Sequence, residues 1–290
     1  MPQDPVAPAV TAYARYRVEP GERIRLGDYE TDDTNGYERS DAETDLASLV
    51  ERIAELQMRL YAEDSRSVLV VLQGIDAAGK DSTVRHVFSG TNPQGVRVYT
   101  YKEPTQEEAA HDFLWRYHAD APADGMIHVF NRSHYEDVLV VRVKGLAPEE
   151  RWRSRYDSIN DFERMLVREG TVVVKFFLHI SKEAQLERFR ERLERPDKHY
   201  KFSANDVRER RHWDSYAAAY EDAVNLTSTP WAPWYVVPSD HKWFRNLVVA
   251  RIFAATLEAM DPQWPENDPE VEGFAVEELG VQAESVSSSR

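Results

Sequence analysis

The sequence predicts an α/β protein, a three-layer α/β/α sandwich in which helices cover both faces of a parallel sheet. Short apolar runs rich in β-branched residues recur along the chain, and stretches with helical spacing of apolar residues separate most of them. Strands buried on both faces have such continuous apolar runs, and strand–helix alternation is typical of parallel sheets. The predicted strands are 67–73, 96–101, 126–130, 171–180 and 234–237, and the predicted helices are 80–89, 105–118, 149–169, 182–194, 204–225 and 241–260.

The chain divides into three predicted segments. Residues 1–65 combine an arm rich in Pro, Gly, Asp and Thr with an amphipathic helix over 41–62. Residues 66–260 hold the α/β core. Residues 261–290 are rich in Pro, Glu and Ser, so we expect an acidic, mobile tail.

The formal net charge of −15 is unevenly distributed. Residues 26–64 carry −9 and residues 258–290 carry −8, so the remaining residues carry +2. A nucleic-acid-binding protein would normally show a dominant basic footprint, and we do not expect that class. The middle of the chain is mildly basic and is compatible with an anionic ligand.

Composition also bounds the cellular compartment. The sequence has no cysteine, so it has neither a disulfide framework nor a thiolate metal site. No apolar run approaches the ~20 residues that cross a membrane. Residues 1–10 lack the basic and apolar regions of a signal peptide. We expect a cytoplasmic protein that binds no membrane.

A phosphate-binding loop follows the first predicted strand. Residues 74–80 read Gly-Ile-Asp-Ala-Ala-Gly-Lys, which matches the spacing G-x-x-x-x-G-K. The glycines permit a tight turn whose N–H groups surround an anion, and the next helix adds its positive N-terminus. A plain glycine turn is the alternative. The predicted phosphate-binding residues are Gly74, Ala77, Ala78, Gly79, Lys80, Asp81 and Ser82.

Two carboxylates make this loop unusual. Asp81 stands where a common loop of this type has a magnesium-binding Ser or Thr, and Ser82 follows one place later. Asp76 lies inside the loop, where it would repel a bare phosphate unless Mg²⁺ lay between them. We interpret Asp76 as a metal ligand, with a turn-forming role as the alternative.

A second group of polar residues, 131–137, follows the third predicted strand. Ligands of parallel sheets gather beyond the carboxyl ends of strands, and the Arg132 guanidinium suits phosphate oxygens. The alternative is a capped helix start, in which Glu136 closes a capping box. The predicted nucleotide-binding residues are Asn131, Arg132, Glu136 and Asp137, with Glu136 as a further metal ligand.

The region 185–212 has nine Lys or Arg residues and six Asp or Glu residues. Arg188, Arg192 and Arg195 have helical spacing and share one face. Kinases with a phosphate loop close an arginine-bearing lid over the transferred group, so we predict a lid at about 183–225. We expect Arg188 and Arg192 to reach the phosphates, with a salt-bridged surface as the alternative.

Five stretches together resemble the polyphosphate kinase type 2 family. They are GIDAAGKDSTVRHVF (74–88), VYTYKEPTQEE (98–108), FNRSHYEDVLVVRV (130–143), RFRERLERPDKHYKFSANDVRER (188–210) and STPWAPWYVVPSDHKWFRN (228–246). The resemblance covers roughly residues 20–260. It implies a thymidylate-kinase-like P-loop kinase with a helical lid. The implied reaction is Mg²⁺-dependent, reversible phosphoryl transfer between inorganic polyphosphate and ADP/ATP, with GDP/GTP as a further pair and Mn²⁺ as the alternative metal.

The resemblance also implies roles for single residues. It implies five catalytic residues, namely Asp76, Lys80, Arg132, Arg188 and Arg192, and a polyphosphate-binding track at Lys198, Lys201 and Arg208. We predict Arg85 and Lys102 as further polyphosphate-binding residues. One position departs from the pattern, since Asn131 stands where many members have a metal-binding aspartate. The segment 131–137 resembles the class III branch, which accepts AMP as well as ADP. We also expect a homo-oligomer, a dimer or a tetramer, for which the acidic N-terminal helix is a candidate interface.

Two rival functions remain open at this point. An ATP-dependent nucleoside monophosphate kinase of the thymidylate kinase type would share the loop and the lid but needs no long basic track. A non-catalytic nucleotide- or polyphosphate-binding protein is the second rival, and Asn131 is its only hint.

Overall fold

The computed structural model describes residues 13–266 and contains one sheet of five parallel strands in the order β2-β3-β1-β4-β5. The strands are β1 (Ser67–Gln73), β2 (Val96–Thr100), β3 (Ile127–Asn131), β4 (Thr171–His179) and β5 (Trp234–Pro238). Strand β1 is buried along its whole length, as its unbroken apolar run predicts. The predicted parallel α/β fold is confirmed.

Helices cover both faces of this sheet. The described part of the chain contains α1 (Arg39–Glu63), α2 (Lys80–Val87), α3 (Gln106–Ala110), α4 (Trp115–Ala119), α5 (Glu136–Val143), α6 (Glu149–Arg168), α7 (Lys182–Glu194), α8 (Ala204–Glu209), α9 (Trp213–Thr227) and α10 (Lys242–Met260). Alternate residues of β1 face opposite cores, because side chains along a strand alternate between its two faces. Val68 and Val70 pack with α1, α2 and α10, whereas Leu69 and Val71 pack with α5, α6 and α9. The predicted three layers are therefore present.

Three helix predictions needed correction. The predicted helix 105–118 is two short helices, because the Asp112 side chain accepts a hydrogen bond from the Leu114 N–H and turns the chain between them. The predicted helix 204–225 is interrupted by a 3₁₀ turn at Arg210–His212. Helix α5 was not among the predicted helices; its Val138 and Leu139 are buried in the core.

The N-terminal arm has little regular structure between residues 13 and 38, yet it packs closely on the core. It contains 3₁₀ turns at Ala14–Tyr16 and Leu26–Asp28. Val18 is fully buried, and its N–H donates to the carbonyl of Trp234 at 2.9 Å, so the arm covers the β5 edge of the sheet. Most of the predicted mobile tail lies outside the described residues, and none of the described helices is long and apolar enough to cross a membrane.

The strand order positions the candidate site. β1 and β3 are parallel neighbours, with Leu72 opposite Asn131. The loop after β1 and the residues after β3 therefore emerge side by side at the carboxyl edge of the sheet. β4 lies on the other side of β1 and leads into α7, the first helix of the predicted lid.

Candidate active site

The phosphate-binding loop connects β1 to α2 and contains a buried lysine. Lys80 is 8% exposed, and its Nζ donates to the carbonyl of Gly74 at 2.6 Å. Burial, followed by repulsion from Arg132, lowers the pKa of Lys80 to about 8. A phosphate bound in the loop would be a counter-ion for this ammonium group and would favour its protonated form.

Arg132 begins the segment after β3 in a left-handed conformation, with φ of 63°. This conformation costs a non-glycine residue on the order of 1–2 kcal/mol and is often retained at functional sites. The guanidinium Nη2 donates to Asp76 Oδ1 at 2.7 Å, and Nη1 lies 3.9 Å from Glu136 Oε2. Burial opposes the charge of Arg132, but Glu136 and Asp76 outweigh it and raise the pKa of the guanidinium. The left-handed backbone and the two carboxylates together hold the Arg132 guanidinium beside the phosphate-binding loop.

A cavity of about 720 Å³ lies in front of the loop and extends to the end of β2 and to residues 192–206, which are part of the predicted lid. Its lining contains six cationic side chains, namely Lys80, Arg85, Lys102, Arg132, Arg192 and Lys201. It contains three carboxylates, namely Asp76, Asp81 and Asp206. Cations therefore outnumber carboxylates two to one, which suits a polyanionic ligand even though the chain as a whole is acidic.

A smaller cavity of about 40 Å³ lies between the loop and helices α5, α7, α8 and α9. Its lining includes Glu136 and the aromatic residues Tyr216 and Tyr220. Both cavities are lined by Asp76, Arg132 and Asp206. These three residues therefore mark the junction of the two spaces.

Helix α7, in the predicted lid, places Arg192 on the wall of the large cavity. Its Nη1 lies 3.3 Å from Asp206 Oδ2 and donates to the carbonyl of Lys201 at 3.1 Å. The carboxyl of Asp206 is partly buried and faces Asp76, and both effects raise its pKa. An incoming phosphate would compete with Asp206 for the Arg192 guanidinium.

Asn131 has a defined partner within the site. Its Nδ2 donates to Asp81 Oδ1 at 2.6 Å. An aspartate at position 131 would bring two carboxylates into contact, whereas the amide stabilises the Asp81 carboxylate. Asn131, which departs from the family pattern, is therefore hydrogen-bonded to Asp81, which departs from the common phosphate-binding loop.

The carboxylates of Asp76 and Glu136 fit a magnesium site only in part. Within residues 13–266 no three His, Asp or Glu residues are grouped closely enough to hold a metal ion. Mg²⁺ is commonly bound by one or two carboxylates together with substrate phosphates and water. Asp76 and Glu136 flank Arg132 at the junction of the cavities, so the pair fits an ion whose other ligands come from phosphate oxygens.

The structure does not bring Arg188 into either cavity, contrary to the prediction that it reaches the phosphates. Its Nη1 donates to the carbonyls of Ala77 and Ala78 at 2.6 and 2.9 Å, behind the loop. Ala78 is itself fully buried and does not line the cavity. Gly74 lines only the small cavity.

Three other predicted residues also lie away from the cavities, each for a visible reason. Asp137 accepts hydrogen bonds from Arg155 at 3.1 Å and from the Tyr117 hydroxyl at 3.2 Å, and burial raises its pKa. Lys198 forms an ion pair with Glu191. Arg208 is exposed and lines neither space.

Sequence reasoning missed two residues of this region. Asp206 lies at the junction of the cavities, and Arg245 contacts the rear of the loop through the carbonyl of Ala78 at 3.0 Å. Both belong to stretches that carry the family resemblance. No spacing rule distinguishes them from the other charged residues around them.

Comparison with known proteins agrees with this geometry. The family model for polyphosphate kinase 2 matches residues 36–265. An AMP/ADP-polyphosphate phosphotransferase of Meiothermus ruber is 49% identical over 265 residues, which are 91% of this chain and 99% of the relative. An ADP-polyphosphate phosphotransferase of Rhodopseudomonas palustris is 43% identical over 268 residues, which are 88% of this chain and 93% of the relative.

A solved structure supports the same assignment. The crystal structure of polyphosphate kinase 2 from Arthrobacter aurescens TC1 matches with a TM-score of 0.86 and 40% sequence identity, covering 95% of this chain and 98% of that chain. The fold and the family resemblance predicted from the sequence are confirmed. The chain belongs to the polyphosphate kinase 2 family.

Proposed function

We propose that this enzyme transfers phosphoryl groups reversibly between inorganic polyphosphate and ADP, with AMP as an additional acceptor. The observation that carries the proposal is the cation-lined cavity of about 720 Å³ in front of the phosphate loop. The three phosphates of a nucleoside triphosphate would occupy only the loop and the residues next to it. Arg85, Lys102 and Lys201 continue the positive lining beyond them, as a longer phosphate chain requires.

The acceptor range is proposed from the relatives and from the segment after β3. The Meiothermus ruber relative is named for both AMP and ADP, and the Rhodopseudomonas palustris relative for ADP. The higher identity to the former favours the class III branch, and GDP is a further candidate acceptor. We assign the nucleotide phosphates to the neighbourhood of Arg132, which lines both cavities, with Asn131 on the side of the large cavity and Glu136 on the side of the small one.

The reaction needs no strong general base. An oxygen of the β-phosphate of ADP, or of the α-phosphate of AMP, is already anionic at neutral pH and attacks the terminal phosphorus of polyphosphate. A P–O bond forms to the nucleotide as the P–O bond to the chain breaks, and the shortened chain leaves with the electron pair as an anion. Catalysis then depends on alignment and on neutralisation of the phosphoryl oxygens, because such transition states are loose.

The proposed roles follow from the partners of each side chain. Lys80 donates to the phosphate bound in the loop, Arg132 leaves Asp76 to bind the passing phosphoryl group, and Arg192 binds it from the lid. Asp76 and Glu136 would hold Mg²⁺, which would neutralise phosphate charge. Arg188 acts behind the loop by holding its backbone.

An assay of donors and acceptors tests this proposal. We expect ATP to form from long-chain polyphosphate and ADP, and ADP to form from polyphosphate and AMP, only when Mg²⁺ or Mn²⁺ is present. ATP offered as donor to AMP or dTMP should be a poor substitute. If ATP is the better donor and polyphosphate is inert, the enzyme is instead a nucleoside monophosphate kinase.

The homo-oligomeric state, a dimer or a tetramer, and the cytoplasmic location stay predictions. Light scattering of the purified full chain measures the first. A fluorescent fusion expressed in the source cells tests the second.

A further inference from the structure

Arg245, on α10, is a buried cation without an anionic partner in the described part of the chain. The side chain is fully buried. Its Nη1 donates to the carbonyl of Ala78 at 3.0 Å, and its Nη2 donates to Asn246 Oδ1 at 2.8 Å. Across residues 13–266 no carboxylate comes within ion-pair distance of it, and the one charged group that shifts its pKa is another cation, Arg188. Buried charges in proteins are normally paired, so this arrangement requires an explanation.

Arg188 brings a second guanidinium to the same place. It donates to the carbonyl of Ala78 at 2.9 Å, so the two arginines share one acceptor. Its other contacts are also backbone carbonyls, those of Ala77, Ser239 and Asp240. Burial, followed by repulsion from Arg188, lowers the pKa of Arg245 to about 9. Burial lowers the pKa of Arg188 to about 10, although the Asp240 carboxylate acts in the opposite direction. Arg188 therefore has a carboxylate, Asp240, to offset part of its charge, whereas among the described residues Arg245 has only neutral dipoles, the Ala78 carbonyl and the Asn246 amide oxygen.

The Arg245 guanidinium lies directly against the rear of the phosphate loop. A Cβ atom added at Gly79 would lie 1.9 Å from Arg245 Nη1, so only glycine, here with φ of 110°, fits between them. Gly79 also lines the large cavity on its other side. Only the backbone of the loop at Gly79 lies between the Arg245 guanidinium and the large cavity.

The hydrogen bond to Ala78 also orients the loop. The carbonyl and the N–H of a trans peptide point in opposite directions, and none of the described peptide bonds is cis. Anchoring the carbonyl of Ala78 at the rear therefore turns the N–H of Gly79 toward the cavity. That N–H is one of the donors that a phosphate in the loop needs.

We propose that Arg245 is a positioning residue whose uncompensated charge is balanced by the phosphate chain bound on the opposite face of the loop. Binding of polyphosphate supplies the missing anion through the backbone, so the empty enzyme is destabilised by this charge and the loaded enzyme is not. The inference rests on the proposed function, in that polyphosphate is the anion in front. It predicts that the charge of residue 245, more than its hydrogen bonds, sets the response to polyphosphate.

Two substitutions separate charge from hydrogen bonding. R245K keeps the positive charge and loses the planar fork, whereas R245Q keeps a donor for the Ala78 carbonyl and loses the charge. R251Q is the matched control, because Arg251 lies on the same helix but has its own carboxylate partner, Asp45. For each full-length variant, the melting temperature is measured with and without long-chain polyphosphate, and KM is measured for polyphosphate and for ADP.

We expect polyphosphate to raise the melting temperature of the wild type and of R245K, and to raise that of R245Q much less. R245Q should have a KM for polyphosphate about tenfold above wild type, with the KM for ADP within about twofold. R251Q should lower the melting temperature equally with and without polyphosphate. If R245Q behaves like R251Q, Arg245 is only a structural link between α10 and the loop, and the inference is overturned.

The outcome stays decisive if R245Q does not fold. R245K should then bind polyphosphate within about threefold of wild type, and a loss of tenfold or more would overturn the inference, because only the geometry of the fork has changed. Failure of the proposed function looks different. In that case the wild type itself forms no ATP from polyphosphate and ADP, whatever residue 245 is.

Discussion

The two faces of the phosphate loop use the same kind of side chain in opposite ways. In front, Arg132 and Arg192 are partly exposed, and each lies beside a carboxylate, Asp76 or Asp206. At the rear, Arg188 and Arg245 are buried, and each guanidinium donates hydrogen bonds to backbone carbonyls of the loop. Among these four arginines, exposure and partner therefore separate those that can bind substrate from those that shape the loop.

The difference in partners has an energetic consequence. A partly exposed ion pair contributes about 0–1 kcal/mol, so a phosphate can replace Asp76 or Asp206 as the partner of a front cation at little cost. Removing a buried guanidinium leaves acceptors such as Asn246 Oδ1, the partner of Arg245, unpaired, which costs about 1–3 kcal/mol for each group. Front substitutions should therefore reduce catalysis more than stability. Rear substitutions should change both.

The largest effect should come from Lys80, the buried cation on the front face. Lys80→Ala removes the charge that binds the loop phosphate, and we expect kcat/KM to fall about 10²–10⁴-fold, which is about 3–5 kcal/mol. The melting temperature should change little, because the loss of the hydrogen bond to the Gly74 carbonyl is offset by the removal of a buried charge whose pKa is depressed. ATP formation from polyphosphate and ADP measures the first, and thermal unfolding measures the second. Lys182→Ala, an exposed lysine paired with Asp214, is the control, and a Lys80→Ala enzyme that keeps most of its activity would refute the assignment.

A smaller effect is expected for the lid arginine Arg192. Arg192→Ala removes a donor that we place on the transferring phosphoryl group, and kcat should fall about 10²-fold. Arg190 provides a matched control on the same helix, since it is exposed and paired with Glu187. Arg190→Ala should stay within about twofold of wild type. Equal losses in the two variants would show that α7 contributes only its general positive charge.

Much of the fold was predictable because a strand that is buried on both faces has a nearly continuous apolar run in the sequence. β1 has the predicted bounds, since every residue from 67 to 73 is buried. The helical region 105–118 was harder, because its break depends on a single side-chain hydrogen bond from the Asp112 turn. Helix α5 was missed as a helix because the residues at its start were interpreted for their chemistry. A helix does begin here, at Glu136, but its N-cap residue is Tyr135 and no side chain caps it, so the capping box considered as the alternative is absent.

The candidate site was predictable where a residue type is tied to a local backbone motif. Arg132 directly follows β3, and Lys80 ends the loop that follows the neighbouring strand β1, so the sheet itself brings them together. Arg188 and Arg192 share one helix face, and helical spacing does not tell which of them meets the loop carbonyls and which meets the cavity. Likewise, counting charges does not show that Glu191 pairs with Lys198. Such choices depend on tertiary contacts that residue spacing does not encode.

The smallest expected effect is a pH dependence that belongs to the front face. The pKa of Lys80 is lowered to about 8 in the empty enzyme, so above pH 8 binding of a phosphate must first protonate it. The KM for polyphosphate should therefore rise as pH passes 8, by at most about tenfold per pH unit, whereas kcat at saturating polyphosphate should change less. The effect of pH on stability has the opposite direction. Lys80 loses its proton near pH 8 in the folded enzyme but only near pH 10.5 in the unfolded chain, so its contribution to the free energy of unfolding rises with pH between these two values. Lys80→Arg is the control, because arginine stays charged throughout this range, and a wild-type KM that rises no more steeply than that of Lys80→Arg would assign the titration to polyphosphate rather than to the enzyme.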